Sequence, residues 1–154
     1  MDVRIVDFEE TKVAVVEYRG APELEYEAVR KLVKWKLENA LTDTTRYRMF
    51  GLHYSDPKTT PSNEYRVDFC LSVDFEVGEN QYGIRNGSIP KLRCAFARDI
   101  GSRHDNKAAA YLVEQWLPTG NERMGDHPVI FHYVNVGPTV KPEEMITDVY
   151  LPLA

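Results

Sequence analysis

The chain repeats itself, and that repetition limits its fold more than any other feature. VAVVEYRGAPELEYEAVRKLVKWKL in the first half and LRCAFARDIGSRHDNKAAAYLVEQWL in the second run in the same order: apolar strand, glycine, short turn, helix. Leu32-Val33 precedes Trp35 in one copy, and Leu112-Val113 precedes Trp116 in the other. An internal period of this size marks a duplicated supersecondary unit. A β-α-β-β unit with one apolar sheet face must bury that face against its helix or against its sibling. The duplication therefore predicts an α+β fold, in which tandem β-α-β-β repeats form one curved antiparallel sheet of about eight strands with two helices. The repeats cover about residues 3–76 and 83–154 of a single domain spanning 1–154. No linker or low-complexity segment separates them.

Local signals place the elements. Residues 3–8 and 11–19 have strand composition, and the second run sets Val13, Val15 and Glu17 on one side and Ala14, Val16 and Tyr18 on the other. Gly20-Ala21-Pro22 ends that strand, and Pro22 with Glu23 and Glu25 suits a helix start. The spacing of Val29, Leu32, Val33, Leu37 and Ala40 predicts a helix over 22–40. Strands follow at 46–54 and 65–75, across a loop of turn formers. The second copy gives a weak strand at 83–88 and a clear one from Leu92 to Ile100. A helix over 104–117 carries Ala109, Leu112, Val113 and Trp116 on one face and is stopped by Pro118 and Gly120. Strands at 128–135 and 145–153 complete the copy.

With 154 residues the chain can bury a core without disulfide or metal. Its 19 basic against 24 acidic residues leave a net charge of −5, the wrong sign for a non-specific nucleic-acid binder. Two cysteines are too few for a disulfide framework, no apolar run reaches a membrane span, and no signal peptide opens the chain. A cytoplasmic protein with reduced thiols is expected. The serine-elbow, dinucleotide, phosphate-loop and zinc-protease motifs are absent from the sequence, and Gly83 and Gly87 read as a turn. None of His53, His104, His127 and His132 is spaced with another ligand, so neither metal nor cofactor is expected. Cys70 and Cys94 read as buried structural thiols.

The remaining chemistry lies in aromatic residues that share strands or helices with acids. Glu17 continues the Val13–Val15 face, Asp68 stands between Val67 and Phe69, and Glu25 shares a helix face with Val29 and Leu32. Phe96, Phe131, Tyr133 and Tyr150 also fall on strands. One reading makes these rings core and the acids rim groups paired with arginine. The other makes them a ring-walled hollow with a carboxylate inside. That carboxylate is costly until a cationic guest pairs with it, and each ring adds about 0.5–2 kcal/mol of cation–π attraction.

Further stretches carry a family likeness. They are Tyr18-Arg19-Gly20, Gly51-Leu52-His53-Tyr54-Ser55-Asp56-Pro57, Tyr65-Arg66-Val67-Asp68, Ile89-Pro90, Gly101-Ser102, Trp116-Leu117-Pro118-Thr119-Gly120, Asp126-His127-Pro128, Phe131-His132-Tyr133-Val134-Asn135 and Thr147-Asp148-Val149-Tyr150-Leu151-Pro152-Leu153. Together, in this order, they resemble the GyrI-like small-molecule-binding domain, the effector-binding part of many AraC-type and some MerR-type regulators, which also occurs alone. The resemblance implies a groove for lipophilic, often cationic, aromatic compounds, read by a glutamate within a P-x-aromatic-E-x-Y pattern. Here that stretch is Pro128 to Tyr133, with Phe131 in the glutamate's place; Tyr133 and Tyr150 match the family tyrosines. Glu17 and Asp68 are the substitute acids.

The expected ligand-binding set is therefore Glu17, Asp68, Phe96, Trp116, Phe131, Tyr133 and Tyr150. The expected function is non-catalytic binding of small lipophilic cationic or aromatic molecules. No catalytic residue, direct nucleic-acid contact or membrane contact is expected, since the domain fills the chain and leaves no room for a helix-turn-helix. Either outer strand is free to pair with a second copy as a homodimer. Two alternatives come from the same resemblance: an inhibitor of the gyrase-inhibitor type acting on a protein partner, and a hydrolase of a small electrophile.

Overall fold

The runs richest in valine and alanine become the inner strands of the computed structural model, which describes residues 1–104 and 106–154. Eight strands form: β1 (Arg4–Phe8), β2 (Thr11–Arg19), β3 (Met49–His53), β4 (Arg66–Ser72), β5 (Arg85–Ile89), β6 (Leu92–Ile100), β7 (Val129–Tyr133) and β8 (Ile146–Pro152). Helix α1 (Tyr26–Glu38) follows β2, and α2 (Lys107–Tyr111) follows β6. The fold is α+β and the strand pairs within each repeat are antiparallel, as the duplication predicts. β2 and β6 span the predicted residues, while β3, β4, β7 and β8 are trimmed at their ends.

Contacts divide the chain into two units, Thr11–Ile89 and Met1–Glu10 with Pro90–Ala154. In the first, β4 pairs with β3 and β2, and β2 pairs with β5. In the second, β8 pairs with β7 and β6, and β6 pairs with β1. Each β-α-β-β copy thus gains a fourth strand, and it is not the strand that precedes it in sequence. β1 leads into the first copy but pairs with the second, whereas β5 leads into the second copy but pairs with the first. Only Glu9-Glu10 and Pro90-Lys91 separate these arms from the strands that follow them.

The helices differ from expectation in two ways. Pro22–Leu24 forms a single 3-10 turn, and α1 then buries Ala28, Leu32, Trp35 and Lys36, while Leu37 and Ala40 are exposed. The predicted face is rotated because the indole of Trp35 buries more apolar surface than Leu37 would; it packs 6.2 Å from the Phe75 ring. Ala40 lies past the helix end at φ 55°. In the second copy the expected 104–117 helix is interrupted. Its position 105 lies outside the described residues; α2 runs five residues and passes into a π-helical turn, Leu112–Trp116. A π turn holds one more residue per turn, so the 3.6-residue face cannot continue. Val113, expected inside, is exposed, while Leu112 is fully buried. Asn106 caps α2 by accepting from the Ala109 N–H at 3.3 Å.

Candidate functional site

In the unit containing β6–β8, the two sides of the sheet have different work. Ala95, Ala97, Val149, Leu151 and Phe131 pack with Ala108 and Leu112, and Trp116 and Tyr133 lie against this cluster. Strand alternation puts Phe96 and Tyr150 on the opposite side. There the Phe96 and Tyr150 rings meet at 5.2 Å, and Phe8 meets Tyr150 edge-on at 5.1 Å. Arg4 lies over Phe96 at 5.0 Å, and Arg98 donates two bonds to Asp148 at 2.7 and 3.0 Å. A hollow of about 360 Å³ is lined by Asp2, Arg4, Phe96 and Arg98. The structure thus brings Phe96 to Tyr150, and separately gathers Trp116, Phe131 and Tyr133 on the helix side. Arg103 stacks over Tyr133 at 5.1 Å and ties the β7 end to β8 through the Ile146 carbonyl and Thr147 hydroxyl.

In the unit Thr11–Ile89, Glu17 and Asp68 stand directly opposite each other on β2 and β4. Like charges at that position repel. Arg66 relieves this by lying 3.0 Å from Glu17 and 3.1 Å from Asp68, while Arg19 and Arg85 add further charge to Glu17. The Arg19 guanidinium, backed by Arg66 and Arg85, holds the Glu17 carboxyl below its ordinary value. Arg66 also stacks 3.9 Å over Tyr54. Aligning the repeats on Gly20 and Gly101 makes Glu17 equivalent to Arg98, and Asp68 equivalent to Asp148, because Glu17 pairs with Asp68 and Arg98 with Asp148 in the two ladders. One copy solves the position with a direct ion pair. The other places two acids there and needs borrowed arginines. Alternation alone could have found Arg66, since it lies two residues from Asp68 on one strand face.

A third acid sits apart from these arginines. Glu25 precedes α1 without capping it, and its half-buried carboxylate accepts the Tyr65 hydroxyl at 2.8 Å. Tyr65 is buried, and its ring meets Tyr18 edge-on at 6.5 Å. Burial raises the Glu25 carboxyl above its ordinary value, partly opposed by the Tyr65 bond. A larger hollow, about 600 Å³, opens where Trp35, Phe75 and Tyr82 meet Glu38, Glu76 and Glu79, and it holds none of the expected site residues. Burial pushes His53 down to about 4 and Cys94 up to about 11, so the former is neutral and the latter protonated at pH 7. Among the described residues no three His, Cys, Asp or Glu side chains gather as a metal-binding group, and no helix is long and apolar enough to cross a membrane.

Two copies of an α+β unit presenting half-covered rings beside charged groups define a tandem-repeat ligand-binding domain. The chain belongs to the GyrI-like small molecule binding domain family, which matches residues 1–154. It is 36% identical over 155 residues to a protein named probable transcriptional regulator YgiV from Escherichia coli strain K12, covering 100% of this chain and 97% of that one. It is 27% identical over 160 residues to a DNA gyrase inhibitor from Erwinia billingiae strain Eb661, covering 100% and 98%. Similar folds occur in the EcmrR C-terminal domain (TM-score 0.77, 17% identity, 99% and 97% covered) and in a hydrolase from Listeria innocua (0.68, 15%, 99% and 91%). SAV2435 bound to tetraphenylphosphonium is also similar (0.58, 11%, 100% and 94%).

Proposed function

We propose that this domain binds lipophilic, cationic aromatic small molecules and releases them chemically unchanged. Family membership supplies the small-molecule part of this reading. The observation that carries the ligand class is the incomplete cover of the rings: Tyr18, Trp116, Tyr133 and Tyr150 are all only half-buried. A ring left partly wet by its own fold gains by stacking on a flat guest, and the same ring face attracts a cation. The tetraphenylphosphonium carried by the similarly folded SAV2435 supports a lipophilic cation as the guest. Phe96 and Tyr150 offer ring walls on the sheet side away from α2, and Trp116 and Tyr133 offer theirs on the helix side, where Phe131 packs into the core. In the unit Thr11–Ile89, Glu17 and Asp68 offer a guest little free negative charge, because arginine matches it.

The test is a thermal-shift series with cationic aromatic dyes and their neutral analogues, followed by mass analysis of each recovered compound. Ligand at one hundred times its dissociation constant stabilises the native state by about 2.7 kcal/mol. For a chain of this size that raises Tm by about 5–10 °C. Larger shifts for the cations, with every compound recovered intact, are expected. No shift with any aromatic compound overturns binding. A hydrolysed product overturns the non-catalytic part and favours the hydrolase reading, a name that some similar structures bear.

A further inference from the structure

Six carboxylates among the described residues are not fully exposed: Glu17, Glu25, Asp68, Asp99, Glu122 and Asp148. Glu17 and Asp68 share Arg66, Glu122 pairs with Arg93 at 2.7 Å, and Asp148 with Arg98 at 2.7 Å. Asp99 accepts the backbone N–H of Lys107 at 3.2 Å, at the start of α2. Glu25 differs from the four that pair with arginine, and from Asp99 in being half-buried rather than buried and in bonding no backbone N–H among the described residues. Its hydrogen-bond partner is the neutral phenol of Tyr65, and among the described residues no Lys or Arg nitrogen lies within 4 Å of its carboxylate. Its neighbours sharpen the imbalance: Glu23, Glu25 and Glu27 together disfavour ionisation of the half-buried Tyr18 hydroxyl, after desolvation.

A half-buried carboxylate with no internal counter-ion keeps its field for whatever binds beside it. The Tyr65 hydroxyl fixes one oxygen, and the Tyr18 and Tyr65 rings form an aromatic corner next to it. A compact ammonium would satisfy such a carboxylate but leave the half-buried Tyr18 ring unused. A bulky onium or protonated aromatic amine engages both, pairing its charge with the acid and a face with Tyr18, while the buried Tyr65 ring backs the corner. We infer, resting on the ligand class proposed above, that Glu25, anchored by Tyr65 and flanked by Tyr18, reads the positive charge of a lipophilic aromatic cation. Burial keeps this carboxyl nearer to protonation than an exposed glutamate, so cation pairing also relieves the desolvation that the fold imposes on it.

Calorimetric titration with tetraphenylphosphonium and with neutral triphenylphosphine oxide tests this on wild type, Glu25→Gln, Glu25→Asp and Glu17→Gln. Glu25→Gln keeps the hydrogen bond to Tyr65 and removes only the charge. It should raise the dissociation constant for tetraphenylphosphonium at least fivefold while leaving the phosphine oxide within twofold. Glu25→Asp keeps the charge but draws it back by one methylene, and its loss should be smaller. Glu17→Gln should shift the two probes by the same factor, because its charge is already matched by Arg19, Arg66 and Arg85. If wild type binds the cation and Glu25→Gln binds it equally well, or if the loss confined to the cation appears in Glu17→Gln instead, the assignment to Glu25 is overturned and the ligand class stands. Wild type that binds neither probe overturns the ligand class and the assignment with it.

Discussion

Replacing Arg66 with methionine tests the charge arithmetic of the β2–β4 ladder. The substitution keeps most of the aliphatic stem and removes the guanidinium that separates Glu17 from Asp68. That group lies 3.0 Å from Glu17 and makes bonds of 3.1 and 3.3 Å to Asp68, whose side chain is 6% exposed. Breaking a fully buried pair costs about 3–5 kcal/mol. Arg66 is 25% exposed, and Arg19 and Arg85 remain beside Glu17, so about 2–3 kcal/mol is expected. That corresponds to a fall in Tm of about 4–12 °C at neutral pH. The pH dependence is the sharper readout. In the native chain Glu17 titrates below its ordinary value of 4.5, so its share of stability is present above that value and lost as pH falls through the folded one. In Arg66→Met the two carboxylates face each other without the guanidinium between them, and protonation of either removes the repulsion, so the penalty eases as pH falls. Urea unfolding at pH 8.0, 6.5 and 5.5 should show the deficit of the variant shrinking on acidification, with Arg66→Lys in between because it keeps charge but not the bidentate fork. A deficit under about 0.5 kcal/mol, well short of the cost of a charge-assisted bond, refutes the reasoning, and so does one that grows towards pH 5.5.

Other outcomes follow from local geometry. Leu112→Ala empties a fully buried site in the π turn and should cost about 2–5 kcal/mol in denaturant unfolding, whereas Val113→Ala, on the exposed side, should cost under about 0.5 kcal/mol. Gly20 and Gly101 occupy equivalent turns at φ 141° and 129°, which side-chain-bearing residues avoid. Gly101→Ala should lose about 1–3 kcal/mol from backbone strain alone, since a Cβ there meets open space; Gly20→Ala should lose more, because its Cβ falls 3.0 Å from the Tyr18 hydroxyl. Comparison of the two Tm values checks the order. Cys70 and Cys94 are buried and raised by desolvation, so an aromatic disulfide reagent at pH 8 should label native protein at least about a hundredfold more slowly than denatured protein.

The sequence carried the fold further than it carried the site. Duplication and strand composition located β2 and β6 to the residue, because Val13–Val16 and Cys94–Ala97 admit little but a buried strand. Helix faces were less legible. Leu37 and Trp35 compete for the interior of α1, and only packing against Phe75 decides for the indole. The π turn has no signature in Leu112–Trp116 that separates it from an ordinary helix. For the site, alternation gave each strand two faces without saying which one the helix covers, so Phe131 and Tyr133 were grouped with Phe96 and Tyr150 across opposite sides of one sheet. Counter-ions were hidden for a related reason: Arg98 and Asp148 are far apart in sequence and meet only through the β6–β8 register. Glu25 was visible as an acid on an apolar helix face, and its partner Tyr65 was not.

The exchanged arms set the order in which this chain can be completed. During synthesis β1 emerges before everything it will bond to, and its hydrogen-bonding edge waits until β6 has been made. Through that interval Ile5 and Val6 lie on an unpaired strand, open to chaperones and to the equivalent edge of another nascent chain. Cutting the chain between β5 and β6 would leave one fragment with a surplus strand and the other with a missing one. The gene therefore cannot be halved at its own symmetry point without orphaning a ladder, and the two copies stand or fall as a single inheritance.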